Sequence, residues 1–254
     1  DGTAAAVLGE LLESRPFDTL PLVTLLPGGT ANNTAGDIGV RGALDKAVAR
    51  FCAWCEGERD TAGLIAQRAL LRVITDTAGA PRYGMFLGGG AVIQGTEYAH
   101  REIHSRGLRN DFSLALSTAR TVWGVLRNDP AFNRHVDITL TLDDRAPVQH
   151  DVLILAVSTL QRLSFGMTPF WSREPGAIRL TFMEQGCTRF ARTFLSIVRG
   201  RPNRNAIPDN GYHSHNADRL TLAMAGKLNL DGELLDVDGA AFISASPPLA
   251  FLRL

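Results

Sequence analysis

The sequence is poor in cysteine, has no long apolar run and carries no excess of either charge, and each absence excludes a class of protein. An odd number of cysteines argues against a disulfide framework and fits a reducing cytoplasm; they are Cys52, Cys55 and Cys187. The 26 basic and 26 acidic residues cancel, which argues against a general nucleic-acid binder. Because no apolar run could span a bilayer, we expect no membrane-spanning protein.

The chain does have enough apolar material for a full core. Its 254 residues are 45% apolar, and a chain of this size buries about 70% of its unfolded surface, as one large domain or two small ones. It begins at Asp1, within a short Asp-Gly-Thr motif, and we expect a further segment upstream.

A glycine loop between an apolar run and a helical pattern organises the first part of the chain. The run Leu20–Leu26 indicates a buried strand that Pro27 ends, and Gly28 and Gly29 then allow a close approach of the backbone to a ligand. Polar residues suited to capping a helix from Ala35 onward follow; they are Thr30, Asn32, Asn33 and Thr34. Free N–H groups at a helix start favour phosphate, although an ordinary strand-to-helix turn is the simpler interpretation of this loop taken alone.

The first residues of the chain form a second candidate. Asp1-Gly2-Thr3 precedes a helical pattern through Leu8, Leu11 and Leu12, which Arg15-Pro16 ends. Asp1 is either a polar residue favoured near a helix start or a carboxylate at the same edge as the glycine loop. The second interpretation follows if both loops open where strands lead into helices, the usual ligand side of an open α/β sheet.

The pattern changes near residue 63 from helical to mainly strand-like. Expected strands combine β-branched and apolar residues between turn signals; they are Ala69–Thr77, Tyr83–Ile93, Val136–Leu142, Val152–Val157, Leu220–Leu230, Ala240–Ser244 and Leu249–Leu254. Further expected helices are Ala43–Glu56, Thr96–His104, Phe112–Leu126 and Arg189–Val198. The run Gly88-Gly89-Gly90 indicates either close strand packing or a functional glycine segment.

The dipeptide Asp231-Gly232 lies between two apolar runs, which is a common hairpin signal. As a turn alone, it predicts that Asp231→Asn is tolerated, because Asn-Gly is an equally good turn. If the chain stays extended instead, Asp231 and Glu233 project to the same side and form a pair of carboxylates.

Three other clusters are assigned no site. Cys52 and Cys55 form a C-x-x-C without a second pair or a nearby histidine, which favours a packed helix over zinc or redox chemistry. His100 and His104 lack a carboxylate-rich metal motif, which favours a solvated helix face. His213-Ser214-His215 lies in an expected polar loop.

Three short motifs together resemble the diacylglycerol kinase catalytic family, which includes sphingosine kinases and bacterial lipid kinases. Asp1-Gly2-Thr3 resembles the end of the family's Gly-Gly-Asp-Gly-Thr signature. Pro27-Gly28-Gly29-Thr30-Ala31-Asn32 resembles its second nucleotide loop, Pro-x-Gly-Thr-x-Asn-Asp. Asp231-Gly232-Glu233 resembles its late Asp-Gly-Glu motif. The three occur in the family's order over almost the whole chain.

The resemblance implies an α/β plus all-β fold of the NAD kinase and diacylglycerol kinase type. Residues 1–62 are then the remainder of a truncated α/β nucleotide domain, and residues 63–254 a β-sandwich lipid domain. The implied reaction transfers the γ-phosphoryl of ATP to a lipid hydroxyl with Mg²⁺. The implied nucleotide-binding residues are Gly2, Thr3, Gly28, Gly29, Thr30 and Asn32. Asp1, Asp231 and Glu233 are the implied catalytic residues, which orient the hydroxyl, take its proton or hold Mg²⁺.

The chain departs from the family at three places. Ala5-Ala6 stands where relatives have Asn-Glu, and Asn33 stands where they have an aspartate. Phe170–Glu174 replaces an aspartate-rich segment, so no protein-built Mg²⁺ site is expected and Mg²⁺ should arrive with ATP. A catalytically silent lipid- or nucleotide-binding protein therefore stays an alternative, as does a kinase for a non-lipid polyol or nucleotide.

The expected partners follow from a lipid substrate. A cytoplasmic kinase that acts on a lipid alcohol should visit the inner membrane surface transiently. The arginines of residues 189–204 could meet anionic headgroups, although a solvated helix end is the simpler interpretation. No nucleic-acid partner is expected, and a homodimer is left open.

Overall fold

The computed structural model describes residues 2–28, 32–40, 42–57, 61–93, 124, 135–163 and 166–254. The helices whose bounds lie within these ranges are α1 Gly2–Ser14, α2 Asn33–Ile38, α3 Leu44–Cys55 and α4 Phe190–Val198. Short 3-10 turns cover Ala62–Leu64 and Pro208–Asn210. In this part of the chain, no helix is both long and apolar enough to cross a membrane.

The rest of the described chain is rich in β-structure. The strands are β1 Ile65–Arg68, β2 Leu71–Thr75, β3 Arg82–Gly84, β4 Phe86–Gly90, β5 Val136–Leu142, β6 Val148–Ser158, β7 Ile178–Glu184, β8 Tyr212–Ala217, β9 Arg219–Leu230, β10 Glu233–Ala245 and β11 Leu249–Leu252. The alternation of apolar and polar residues predicts strands of this kind. In β5, for example, Ile138, Leu140 and Leu142 are buried while the residues between them are not. The sequence therefore correctly predicts a β-rich second part.

Nine strands form one continuous antiparallel sheet in the order β3-β2-β10-β9-β4-β6-β7-β8. The ninth strand, β5, lies end to end with β4 in the slot between β6 and β9. In the described ranges the β-rich part is thus one hydrogen-bonded sheet, and its expected packing as a sandwich stays a prediction. Buried apolar residues of β2 and of β4 to β10 form one core, which includes Leu87, Leu155 and Leu222.

A second core joins the helices to both ends of the β-rich part. Leu8 of α1, Ile38 of α2 and Ala47 of α3 pack with Phe251 of β11, which pairs with β1. The strand expected at Leu249–Leu254 is therefore confirmed as β11, but it packs with the helices rather than in the large sheet. The division of the chain at residue 62 stays a prediction.

The expected buried strand Leu20–Leu26 is wrong. It contains only an isolated bridge, in which Val23 pairs with Phe251, and Leu20, Leu22 and Leu26 are 37–38% exposed. Proline explains the difference, because Pro21 and Pro27 flank Val23 and have no N–H to donate to a ladder.

Other expectations are confirmed with shifted bounds, and two lie outside the description. The strand expected at Tyr83–Ile93 is divided into β3 and β4 and ends in helical residues from Ala91. His213-Ser214-His215 is not a loop but the middle of β8. The helices expected at Thr96–His104 and Phe112–Leu126 lie outside the described residues, apart from Gly124.

Close packing explains the run Gly88-Gly89-Gly90 in β4. A Cβ on Gly88 would lie 2.5 Å from Cγ1 of Val92. Gly90 has a φ of 62°, which favours glycine, and a side chain there would collide with the carbonyl of Leu153. The structural interpretation of this run therefore holds without a ligand.

Candidate functional site

The turn between β9 and β10 is the best-defined part of the candidate site. Asp231 and Gly232 both have positive φ, 49° and 99°, which is the pattern of a two-residue type I′ hairpin turn. The N–H of Gly232 donates to Oδ1 of the buried Asn229 at 2.7 Å. The hairpin interpretation is therefore correct, and the condition for parallel Asp231 and Glu233 side chains, an extended Asp231, is not met.

The carboxylate of Asp231 is held by the backbone at the start of β4. Met85 N–H donates to Oδ2 at 2.8 Å, and Phe86 N–H donates to Oδ1 at 3.0 Å. The N–H of Asp231 in turn donates to the carbonyl of Phe86 at 2.9 Å. Burial raises the pKa of Asp231, against the opposite effect of the two donated hydrogen bonds. The carboxylate thus fastens the turn to β4.

Gly84 makes this arrangement possible. A Cβ on Gly84 would lie 2.5 Å from Cδ1 of Leu230 and 2.9 Å from Oδ2 of Asp231. Since Leu230 is only 3% exposed, it has little room to move away. We call Gly84, Met85, Phe86 and Asp231 the turn anchor.

Glu233 lies two residues further on, in a different environment. It is the first residue of β10, and its side chain is 60% exposed. It pairs with Arg82, whose Nη1 lies 3.6 Å from its Oε1, and such an exposed pair stabilises little. Its carboxylate is therefore open to a ligand, whereas that of Asp231 is not.

The N-terminus of α1 lies beside the turn anchor. A Cβ on Gly2 would be 3.9 Å from the carbonyl oxygen of Asp231. Gly9 lets α1 approach β3 closely, since a Cβ there would lie 3.1 Å from Tyr83. The Tyr83 hydroxyl donates to Glu13 and accepts from Arg72 Nε at 3.2 Å, which fixes α1 against the sheet. Two sequence-predicted positions, Gly2 and Asp231, are thus brought together.

Several predicted site residues cannot be placed. Asp1, Gly29 and Thr30 lie outside the described residues. Thr3 lies in the first turn of α1 and is exposed.

The glycine loop is described at its two edges. Gly28 is exposed, and within the described chain a Cβ there would meet no atom within 4 Å. Asn32 has a left-handed φ of 47° at the N-cap position but makes no side-chain cap. The helix begins at Asn33, earlier than expected, and has six residues, so its dipole is shorter than the anion-cradle interpretation assumed.

Asp37 joins α2 to the segment that follows β6, and sequence reasoning missed it. Its side chain is 1% exposed and pairs with Nε of Arg68 at 2.6 Å. Its Oδ1 also accepts from the N–H groups of Gln161 at 3.0 Å and Arg162 at 2.8 Å. The sequence did carry a signal for a buried ion pair here, because a charged residue lies between the apolar Ala35 and Ile38.

The same segment of β6 also holds the turn anchor. The hydroxyl of Ser158 donates to the carbonyl of Met85 at 2.6 Å and accepts from Leu160 N–H at 3.0 Å. Asp37 of α2 accepts from Gln161 and Arg162, which follow a few residues later. The segment Ser158–Arg162 therefore connects α2, which follows the glycine loop, to the backbone that holds the Asp231 turn. Leu160 of this segment also belongs to the apolar core that contains Leu8 of α1, so elements that carry or adjoin the three sequence motifs meet here.

Glu174, in the segment Phe170–Glu174, is engaged in local hydrogen bonds. Glu174 Oε1 accepts from Arg145 at 3.1 Å, while Oε2 accepts from Asn216 N–H at 3.2 Å and lies 3.1 Å from Nδ1 of His215. Burial alone would raise the pKa of Glu174, but these partners hold it below its ordinary value. Glu174 therefore stabilises the sheet edge around β8.

Solved structures show which fold this is. A candidate diacylglycerol kinase from Bacillus anthracis strain Sterne superposes with a TM-score of 0.61 at 14% identity, over 98% of this chain and 75% of that one. A diacylglycerol kinase from the same strain superposes with a TM-score of 0.57 at 11% identity, over 98% and 72%. No protein-family model and no curated protein matches the sequence. The chain therefore has a kinase-like fold, that of solved diacylglycerol kinases, and mixes helices with extensive β-structure.

Proposed function

We propose that the protein is an ATP-dependent lipid kinase, which transfers the γ-phosphoryl group of ATP to the hydroxyl of diacylglycerol or a similar lipid alcohol. The observation that supports this most is that α1, α2 and the anchor of the Asp231 turn pack and bond around Ser158–Arg162, in a chain with the diacylglycerol kinase fold. These elements carry the three motifs by which the sequence resembles that family.

In this proposal the two carboxylates of the late motif, those of Asp231 and Glu233, have different roles. Glu233 is exposed and weakly paired, so it is the residue that could take the proton of the acceptor hydroxyl or hold Mg²⁺. Asp231 accepts two backbone N–H groups and positions Glu233 by fixing the turn before it. As the proton leaves, the lipid oxygen forms a bond to the γ-phosphorus and ADP departs. We assign to Asp1 the same role as to Glu233, that of taking the proton or holding Mg²⁺.

The nucleotide is assigned to the two loops. Neither packing nor backbone conformation within the described chain accounts for a glycine at position 28, which fits close approach of a phosphate there. The other proposed nucleotide-binding residues are Gly2 and Thr3 of α1 and Gly29, Thr30 and Asn32 of the glycine loop. Bound Mg²⁺ would supply charge neutralisation between the phosphates and Glu233.

A second candidate is a silent lipid- or nucleotide-binding protein. The observation that favours it is that both oxygens of Asp231 are committed to backbone donors. Such a protein would bind ATP without transferring phosphate to any lipid.

The Glu233→Gln variant tests the proposed enzyme. Turnover in lipid phosphorylation should fall by roughly 10² to 10⁴-fold, the usual scale for loss of a general base, while the melting temperature stays unchanged because the side chain is exposed. Asp236→Asn is the matched control: it lies on the same strand, is 74% exposed and pairs with Lys227 at 3.3 Å. Near-normal turnover in Glu233→Gln would remove this residue from the mechanism and favour the silent protein.

A further inference from the structure

A cluster of two histidines and one glutamate lies across three neighbouring strands, away from the candidate active site. Nδ1 of His150 in β6 lies 2.7 Å from Oε1 of Glu184 in β7, and Nε2 of His213 in β8 lies 3.4 Å from the same oxygen. The possible ligand atoms of the three residues all lie within 4.8 Å of one another.

The register of the sheet places these side chains on one face. β6, β7 and β8 are adjacent, and His213 in β8 is directly opposite Phe182 in β7. Phe182 and Glu184 are two positions apart on β7, so their side chains lie on the same face of the sheet. The ring of Phe182 stacks on His213 with centroids 4.4 Å apart and touches His150 at 4.7 Å. Aromatic packing therefore fixes both imidazoles before any ligand binds.

An ordinary ion pair does not account for the whole cluster. His150 and Glu184 satisfy one another as a hydrogen-bonded pair, but Nε2 of His213 is buried and, although it lies 3.4 Å from the same carboxylate oxygen, makes no well-aligned hydrogen bond. A buried polar atom without a partner carries a free-energy cost that calls for an explanation. This nitrogen points toward the carboxylate that already holds His150.

We propose that His150, Glu184 and His213 bind a divalent transition-metal ion, Zn²⁺ by ligand preference. Two imidazoles and one carboxylate are a known zinc donor set that leaves a coordination position open. Zn–N bonds of about 2.0 Å require ligand atoms about 3.3 Å apart in a tetrahedral site, and the spacings in the cluster bracket this value. Glu184 is 30% exposed, which leaves a path for the ion.

The site is separate from the proposed kinase centre. His150 lies at the start of β6 and Ser158, beside the turn anchor, at its end, a separation of about 26 Å along an extended strand. A metal here would join β6, β7 and β8 rather than take part in phosphoryl transfer.

Calorimetric titration of the metal-free full-length protein with Zn²⁺ tests the proposal. Mg²⁺ is present in excess, because it prefers oxygen ligands and should not compete. The exposed thiols of Cys52 and Cys55 are replaced by serine, since thiolates also bind zinc. We expect one Zn²⁺ per chain.

Three variants locate the ion. His213→Ala and Glu184→Gln should each weaken binding by at least about tenfold, and Glu184→Gln keeps the volume of the side chain in case His213→Ala fails to fold. His215→Ala is the control, because His215 follows on the same strand and face but pairs with Glu174. Zinc should also raise the melting temperature of the parent protein but not that of Glu184→Gln. No zinc binding by the parent, or equal binding in Glu184→Gln, would overturn the proposal.

Discussion

The turn anchor and the glycine loop both contain glycine, but the packing of the fold explains the glycine only in the turn anchor. At the turn anchor, Gly84 leaves no room for a Cβ, and both oxygens of Asp231 have backbone partners. At the glycine loop, a Cβ on Gly28 would meet nothing within 4 Å in the described chain. A glycine that packing requires is evidence for the fold, whereas one that packing does not require is the better candidate for a ligand contact.

The largest contrast is expected between two glycine-to-alanine variants. Gly84→Ala should lower the free energy of unfolding by about 1–3 kcal/mol, because its Cβ would overpack against Leu230 and Asp231. Gly28→Ala should leave stability unchanged but raise the KM for ATP about tenfold, since the methyl group would occupy space proposed for phosphate. Urea unfolding and ATP kinetics measure the two effects.

Gly63→Ala is the control for this pair, because a Cβ there also meets nothing within 4 Å in the described residues and the position lies outside the proposed site. It should change neither quantity. A stability loss in Gly28→Ala as large as that in Gly84→Ala would remove the distinction between the two regions.

Asp231→Asn should destabilise the protein by about 1–3 kcal/mol, contrary to what a turn alone predicts. An amide has one acceptor oxygen, so its NH₂ would face the N–H of Met85 or Phe86 and leave that donor unpaired. Asp143→Asn is the matched control. Asp143 has the same left-handed conformation, with φ of 48°, but one oxygen, Oδ1, accepts both N–H groups at 2.9 Å.

Thermal unfolding of these two variants side by side measures the difference. An amide can keep both bonds at position 143, so Asp143→Asn should unfold like the parent. Equal loss in the two variants would show that the carboxylate charge, rather than the second acceptor, matters at such turns.

The smallest expected effect is a difference in pH dependence between Glu174 and Asp231. The pKa of Glu174 is lowered from 4.5, so its contribution to stability is present above that value and is lost as pH falls through the folded pKa. The pKa of Asp231 is raised from 3.8, so protonation adds to the stability below that value, beyond the hydrogen bonds that the ionised group makes, and this addition is lost as pH rises through the folded pKa.

Unfolding free energies of the parent, Glu174→Gln and Asp231→Asn across pH 3 to 7 (roughly the range that spans both carboxyl groups) measure these trends. The gap between parent and Glu174→Gln should narrow toward low pH, and the gap for Asp231→Asn should widen. Parallel curves for the two variants would contradict the assigned directions.

The sequence predicted best the elements whose pattern is local. The alternation of Val136–Leu142 predicted β5 with its observed bounds, and the Asp231-Gly232 signal predicted the hairpin turn. It predicted worst the elements that depend on distant partners. β8 has no apolar alternation because its middle residues serve polar contacts: Ser214 accepts the N–H groups of Trp171 and Ser172.

The same limit applies to the candidate site. The motif predicted that Asp231 and Glu233 matter, but not that Asp231 is held by Met85 and Phe86, which lie about 145 residues earlier in the chain. Asp37 was missed for the same reason, since its partner Gln161 is 124 residues away. Spacing in the sequence can indicate which residues form a site, but only contacts between distant segments divide their roles.

The most direct test of the central claim is phosphoryl transfer itself. The full-length protein is incubated with γ-labelled ATP, Mg²⁺ and a panel of lipid alcohols that includes diacylglycerol, with glycerol and nucleosides as non-lipid acceptors. The account predicts labelled phospholipid from at least one lipid alcohol and none from the non-lipid acceptors. Binding of ATP with no labelled product from any acceptor would contradict it.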